Sequence, residues 1–224
     1  MAETVTRELV DWTGVQPDHT PIPRLDDQTF AGRLRLLSER AESLTRLRTA
    51  FTDQAAMASN FLEILSQLHD HHVDFVIVGG VAAALHGSSR VTFDLDVVPN
   101  LTEKSWQAAV DLLWSLGARP RIPESLERIR DIDQVRGWQR DKGMLALNFR
   151  TPDGSTEVDL LVSESDQFAS LRERAVKVTI DQRTFFVASI DDLIAMKRHP
   201  GRPQDLLDIA QLQEIQKRLE RPDR

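Results

Sequence analysis

The chain has 224 residues, no cysteine and a formal net charge of −7. That length suits one sizeable core, or one domain with a helical extension, and the missing cysteines exclude disulfides, thiolate zinc sites and a cysteine nucleophile together. No apolar run approaches bilayer length and the N-terminal stretch lacks a signal-peptide pattern, so a cytoplasmic protein with no membrane contact is expected; the acidic balance argues against coating nucleic acid through bulk charge but leaves room for a local basic groove.

Residues 1–27 carry Pro17, Pro21 and Pro23 among polar side chains and read as a tail. From Thr29 to Phe51, Leu34, Leu37, Leu44, Leu47 and Phe51 recur at helical spacing, and the arginines between them read as a solvated face. A second helix is expected from Asn60 to His69, with Phe61, Ile64, Leu65 and Leu68 inward. Asp74 to Val78 is a short β-rich run that ends at Gly79-Gly80, and a short helix from Val81 to His86 follows, stopped by Gly87. Arg90 to Val98 reads as a strand and Glu103 to Leu116 as a helix with Trp106, Val110, Leu113 and Trp114 on its apolar face. Residues 117–142 show no assignable period. Met144 to Phe149 alternates, placing Leu145, Leu147 and Phe149 on one face; turn chemistry at Pro152-Asp153-Gly154 then leads into a returning strand from Glu157 to Val162. Lys177 to Val187 holds one or two further strands. Ser189 three residues before Asp192 opens a helix that runs to His199, and Pro203 opens a last helix with Leu206, Ile209, Leu212, Ile215 and Leu219 inward.

The most informative segment is Val91-Thr-Phe-Asp-Leu-Asp-Val-Val98. Side chains alternate along a strand, so Asp94 and Asp96 share one face while Phe93, Leu95 and Val97 can join the core. Two carboxylates on an apolar strand repel each other and are costly to desolvate, and a divalent cation reverses that cost. Hard oxygen ligands suit Mg²⁺ or Mn²⁺, whose remaining positions are filled by water and substrate phosphates. Taken alone, Asp-x-Asp is as well explained by a solvent-facing strand. Gly79-Gly80, between a strand and a helix, would let phosphate oxygens approach backbone N–H groups. Asp159 and Glu157 lie on the polar face of a nearby strand, and Asp159, tightly flanked by core residues, is the preferred third ligand. Lys197 and Arg202 lie at the junction of the last two helices, where cations can meet a polyphosphate, although dipole complementation also accounts for Lys197 and for Asp205. His69, His71 and His72 at a helix end, with His86 and His199, read as structural.

Gly79-Gly80 through Ser88-Ser89-Arg90 to Asp94-Leu95-Asp96, then Glu157-Val-Asp159, then Leu193-Ile-Ala-Met-Lys197 and Gly201 to Asp208, resemble the motifs of the DNA polymerase β-like nucleotidyltransferase superfamily, and within it the AbiEii/MenT-type toxins. The resemblance spans roughly residues 60–215. It implies an α+β fold with a mixed β-sheet flanked by helices: a nucleotidyltransferase core over 60–188, a helical C-terminal part over 189–224, and an uncovered extension over 1–59. By carry-over, Gly79 and Gly80 hold a nucleoside triphosphate, Asp94, Asp96 and Asp159 hold the metals, Lys197 contacts phosphate or sugar, and Asp205 supports the last motif. Many relatives have serine where this chain has Gly80; Ser88 or Ser89 is the candidate substitute. The implied reaction is metal-dependent transfer of a nucleoside monophosphate. Its acceptor is RNA (the 3′ end of transfer RNA in toxin-like relatives) or a partner protein's side chain, as in antitoxins of the superfamily; a cognate antitoxin is an implied partner. Arg119, Arg121, Arg128, Arg130, Arg136, Arg140 and Lys142 offer a basic flank for RNA, interspersed with acids. A catalytically silent nucleotide-binding module is the rival of another class.

Overall fold

The computed structural model describes residues 60–88, 92–198 and 203–220. The expected helix over Thr29 to Phe51 therefore lies outside the described residues, as do Ser89, Arg90, His199 and Arg202. In chain order the elements are helix α1 (60–70), β1 (Phe75–Ile77), α2 (Gly79–His86), β2 (Asp94–Pro99), α3 (Glu103–Ser115), β3 (Arg119–Pro120), α4 (Leu126–Arg130), α5 (Ile132–Lys142), β4 (Ala146–Arg150), β5 (Glu157–Leu161), a 3₁₀ turn (Ser165–Gln167), α6 (Phe168–Arg174), β6 (Val176–Ile180), β7 (Arg183–Val187), α7 (Ile190–Arg198) and α8 (Pro203–Glu220).

The seven strands form one mixed sheet in the order β3-β4-β5-β2-β1-β7-β6. β2 runs parallel to β5 and β1 parallel to β7, while every other neighbouring pair is antiparallel. This is the expected α+β architecture. Alternate residues of the central strands, Leu95, Val97, Leu147, Phe149, Val158 and Leu160, are almost fully buried in the same apolar cluster as Trp106, Val110 and Leu113 of α3. The Trp106 indole N–H donates to the Ile129 carbonyl at 2.8 Å and ties α3 to α4. No helix among the described residues is long and apolar enough to cross a membrane.

Local chemistry explains most boundaries. The Ser189 hydroxyl accepts from the Asp192 amide at 3.1 Å and donates to its carboxylate at 2.6 Å, so the expected cap of α7 forms. Asp181 and Gln182 have φ of 45° and 66° and turn β6 back into β7, resolving Lys177 to Val187 into a hairpin. His86 is buried with Nε2 2.7 Å from the Ala188 carbonyl, a structural bond between α2 and the end of β7.

Four apolar positions on expected inward faces are exposed. Phe93 is 66 % exposed, because β2 gains its ladder partner on β5 only at Asp94, opposite Glu157. Leu145 is 68 % exposed for the same reason, since β4 begins at Ala146. Leu206 and Leu219 face outward on α8, where Asp208 and Leu212 are buried instead. Residues 117–142 hold a two-residue edge strand and two short helices, α4 and α5, separated by Asp131, which caps α5 by accepting from the Asp133 and Gln134 amides.

Candidate metal and nucleotide site

The polar face of the sheet is ordered by register. Asp96 stands opposite Asp159 across the parallel β2–β5 pair, and Asp159 opposite Asn148 across the antiparallel β5–β4 pair. Two residues away on the same face, Asp94, Glu157 and Arg150 form the next row. Asp94, Asp96 and Asp159 each offer a carboxylate oxygen, and these three oxygens lie within 4.8 Å of one another.

Such crowding has an electrostatic cost. Burial, and then the charges of Asp94 and Asp159, push the Asp96 carboxyl up to about 7, against the Gly80 backbone N–H and the Lys197 ammonium, which pull it down. Burial raises Asp159 as well, opposed by its hydrogen bond from Asn148, with Asp94 and Glu157 adding to the rise and Arg121 reducing it. Three hard anionic donors, converging without nitrogen or sulfur, fit Mg²⁺ or Mn²⁺, whose charge would offset the repulsion they otherwise carry. Glu157, the competing third acid, is committed elsewhere: Arg121 lies 3.3 Å and Arg150 3.8 Å from its carboxylate.

Gly79 and Gly80 are the first two residues of α2 rather than a turn before it. Gly79 has φ of 62°, and a Cβ there would collide with the Asp96 carboxylate. The preceding Val78 N–H donates to the Asp96 carbonyl at 3.0 Å, so the helix start and the acidic strand are locked together. A Cβ on Gly80 would run into the Thr92 side chain. The Thr92 hydroxyl donates to Asp94 Oδ1 at 3.0 Å, joined by the Phe93 N–H at 3.2 Å.

The C-terminal motif closes the other side. Lys197 Nζ donates to Asp208 Oδ2 at 2.6 Å, and both side chains are largely buried, 17 % and 10 % exposed. Ser88 donates to Gln211 Oε1 at 2.9 Å. A small cleft lies between Gly80, Ala83 and Ser88 on one side and Lys197, Asp208 and Gln211 on the other. Asp205 lies half-buried one turn earlier on α8, and the acid that meets Lys197 is Asp208. Of the sequence-named residues, Asp94, Asp96, Asp159, Gly79 and Gly80 are brought together, with Lys197 and Ser88 beside them; Ser89, Arg90 and Arg202 lie outside the described residues.

Sequence reasoning passed over Thr92, Asn148, Asp208 and Gln211. Asp208 carried a readable signal, an acid four residues before Leu212 on the buried stripe of α8. Of the expected basic flank, most members are engaged locally: Arg128 with Glu124, Arg130 with Asp111, Arg136 with Asp133, Arg140 with Asp141, and Arg119 over the Trp114 ring. Arg121 instead points its charge at the acidic rows.

A family model described as "Nucleotidyltransferase of unknown function" (DUF6036) matches residues 56–221. The chain belongs to this family. No curated protein matches the sequence. Among solved structures, the chain is similar to an antigenic nucleotidyltransferase-like protein from Paracoccidioides brasiliensis, with 17 % identity over 68 % of this chain and 72 % of the other, at a TM-score of 0.39. The family's description points to transfer of a nucleotidyl group in general, for which a nucleoside triphosphate is the donor substrate.

Proposed function

We propose that this protein is a divalent-metal-dependent nucleotidyltransferase that moves a nucleoside monophosphate from a nucleoside triphosphate to an acceptor hydroxyl, with RNA as the acceptor. The observation that carries the reading is the convergence of Asp94, Asp96 and Asp159 beneath the glycine-started helix α2.

Asp94, Asp96 and Asp159 would hold Mg²⁺ or Mn²⁺, which when bound neutralises phosphate charge and acidifies a hydroxyl. The residues of the chain then have separable tasks. Gly79 keeps a Cβ off the Asp96 carboxylate and Gly80 keeps one off the Thr92 side chain, so the start of α2 packs directly on the acidic strand, where its backbone N–H groups can meet a triphosphate. Lys197, fixed by Asp208, places an ammonium near Asp96, where it can meet phosphate or ribose oxygens. Ser88 shares the cleft with Gly80 and is the hydroxyl best placed to replace the serine that relatives carry at that position. Asp159, on the strand nearer the arginines, serves the acceptor. Its hydroxyl oxygen forms a bond to the α-phosphorus as the α–β bridging bond breaks; pyrophosphate departs with that electron pair, and the hydroxyl proton passes to water.

The toxin-like assignment, including a transfer RNA 3′ end as acceptor, is supported by the resemblance of Leu193 to Lys197 and Gly201 to Asp208 to AbiEii/MenT-type toxins. The test is incubation of the full chain with each α-labelled nucleoside triphosphate, Mg²⁺ and total bacterial RNA, with Asp94→Asn as control. Label in RNA with the wild type alone is the expected result. Label in protein would reassign the acceptor to a partner side chain. Nucleotide binding with no label anywhere would make the protein a silent nucleotide-binding module.

A further inference from the structure

The polar face of the sheet changes sign across its width. On β2 it carries Asp94 and Asp96, and on β5 Glu157 and Asp159. On β4 it carries Asn148 and Arg150; one residue past β3, Arg121 continues the row of Asp96, Asp159 and Asn148, its amide donating to the Asn148 carbonyl at 2.9 Å. Asp159 on β5 is therefore one strand spacing of about 4.8 Å from the strand of Arg150 and two from Arg121.

Arg121 and Arg150 converge on one carboxylate, Glu157, so the group of three keeps a net positive charge. Both arginine side chains are more than half exposed, at 62 % and 58 %. Glu157 holds them beside Asp159 without burying them, and the Arg121 charge is felt at Asp159 itself. The β2 end of the face is covered by α2 and Lys197, the side assigned to the triphosphate, so the β4 end is left for the acceptor.

We propose that Arg121 and Arg150 bind the phosphates of a single-stranded RNA 3′ end and lay it along this face, so that the terminal hydroxyl reaches Asp159. The inference rests on the nucleotidyltransferase reading above and adds the path of the acceptor. Phosphate contacts from two arginines give affinity without sequence preference and make that affinity salt-dependent. Glu157 acts here as a positioning residue for the two guanidiniums.

The experiment is fluorescence anisotropy of a labelled single-stranded oligoribonucleotide titrated with the full chain in Mg²⁺ at several salt concentrations. The Arg121→Gln, Arg150→Gln and double variants are compared with wild type; these exposed substitutions remove the charge but keep a polar side chain, and unchanged Mn²⁺-dependent nucleotide binding checks that each variant folds. Each single change is expected to weaken RNA binding several-fold and to lower the salt slope by about one. Equal affinity and slope in wild type and double variant would overturn the proposal, as would no wild-type binding up to about 10⁻⁴ M, the weak end of non-specific affinities. Failure of the transferase reading is read separately: RNA would bind through these arginines, yet no label would enter it.

Discussion

Asp96 and Asp159 face each other directly across two parallel strands, and no basic side chain stands between them in the ladder. Burial first, and then the charges of Asp94 and Asp159, make Asp96 hold its proton to about 7, against an ordinary value of 3.8. An unfolded chain ionises this group near its ordinary value, so between those two points the folded state binds more protons and stability falls as pH rises. Without divalent cation, Asp96→Asn should match wild type below about pH 4 and exceed it by on the order of 4 kcal/mol above pH 7. Urea melts in EDTA across this window measure the gap, and Mn²⁺ at pH 8 should narrow it. A gap independent of pH would show that the carboxylates are not crowded as described.

Turnover should respond in the opposite sense. Asp94→Asn and Asp96→Asn are expected to abolish nucleotidyl transfer while circular dichroism stays native-like and neither variant melts below wild type. Full activity in either variant would remove that carboxylate from the site.

The Gly80–Thr92 contact predicts an unusual incompatibility. Gly80→Ser restores the residue that many relatives carry, yet its Cβ has no room beside Thr92. Overpacking of this kind should cost about 1–3 kcal/mol. Adding Thr92→Gly should recover most of the melting temperature without recovering activity, since the hydroxyl that orients Asp94 is then gone. Additive losses in the double variant would contradict the contact.

Lys197 and Asp208 form a largely buried ion pair, and removing one partner of such a pair costs roughly 3–5 kcal/mol, whereas replacing both by apolar groups is often neutral. Lys197→Met should therefore destabilise by about that amount, and Lys197→Met with Asp208→Leu should regain most of it while remaining inactive. A thermal-melt cycle over the four proteins measures the coupling.

Asn148 donates to Asp159 Oδ1 at 2.7 Å and so fixes this carboxylate in the acidic cluster. Removing a partner that orients a metal ligand typically weakens the metal roughly 10–100-fold. Asn148→Leu should raise the Mn²⁺ half-saturation concentration by a factor in that range, read by electron paramagnetic resonance of free Mn²⁺ with no nucleotide present. Unchanged Mn²⁺ affinity would leave Asn148 with a purely structural role.

The acidic strand was legible because its physics is local. Period-two alternation alone puts Asp94 and Asp96 on one face, and the same rule puts Asp159 on the polar side of β5. Which acid of β5 completes the cluster was less secure in sequence, because the answer depends on register and on two arginines, Arg150 on β4 and Arg121 just past β3, that occupy Glu157. The ends of strands were misplaced for a related reason. Phe93 and Leu145 continue the apolar alternation of their segments but precede the first residues of β2 and β4, and both are exposed. Asp208 was hidden by its more obvious neighbour Asp205 at the helix start, since only the packing of α7 on α8 shows which turn meets Lys197. The folding of 117–142 into an edge strand and two short helices follows from caps and tertiary contacts that carry little periodic signal.

β3, the strand that ends the sheet beside the arginines, is two residues long and finishes in Pro120. A proline offers no backbone N–H, and so short a ladder gives an incoming chain almost nothing to pair with. The border nearest the acidic face is thereby closed to β-strand addition. A macromolecule arriving there, whether an RNA end or a regulatory protein, has to be held by side chains, and its grip can be altered one arginine at a time without touching the sheet.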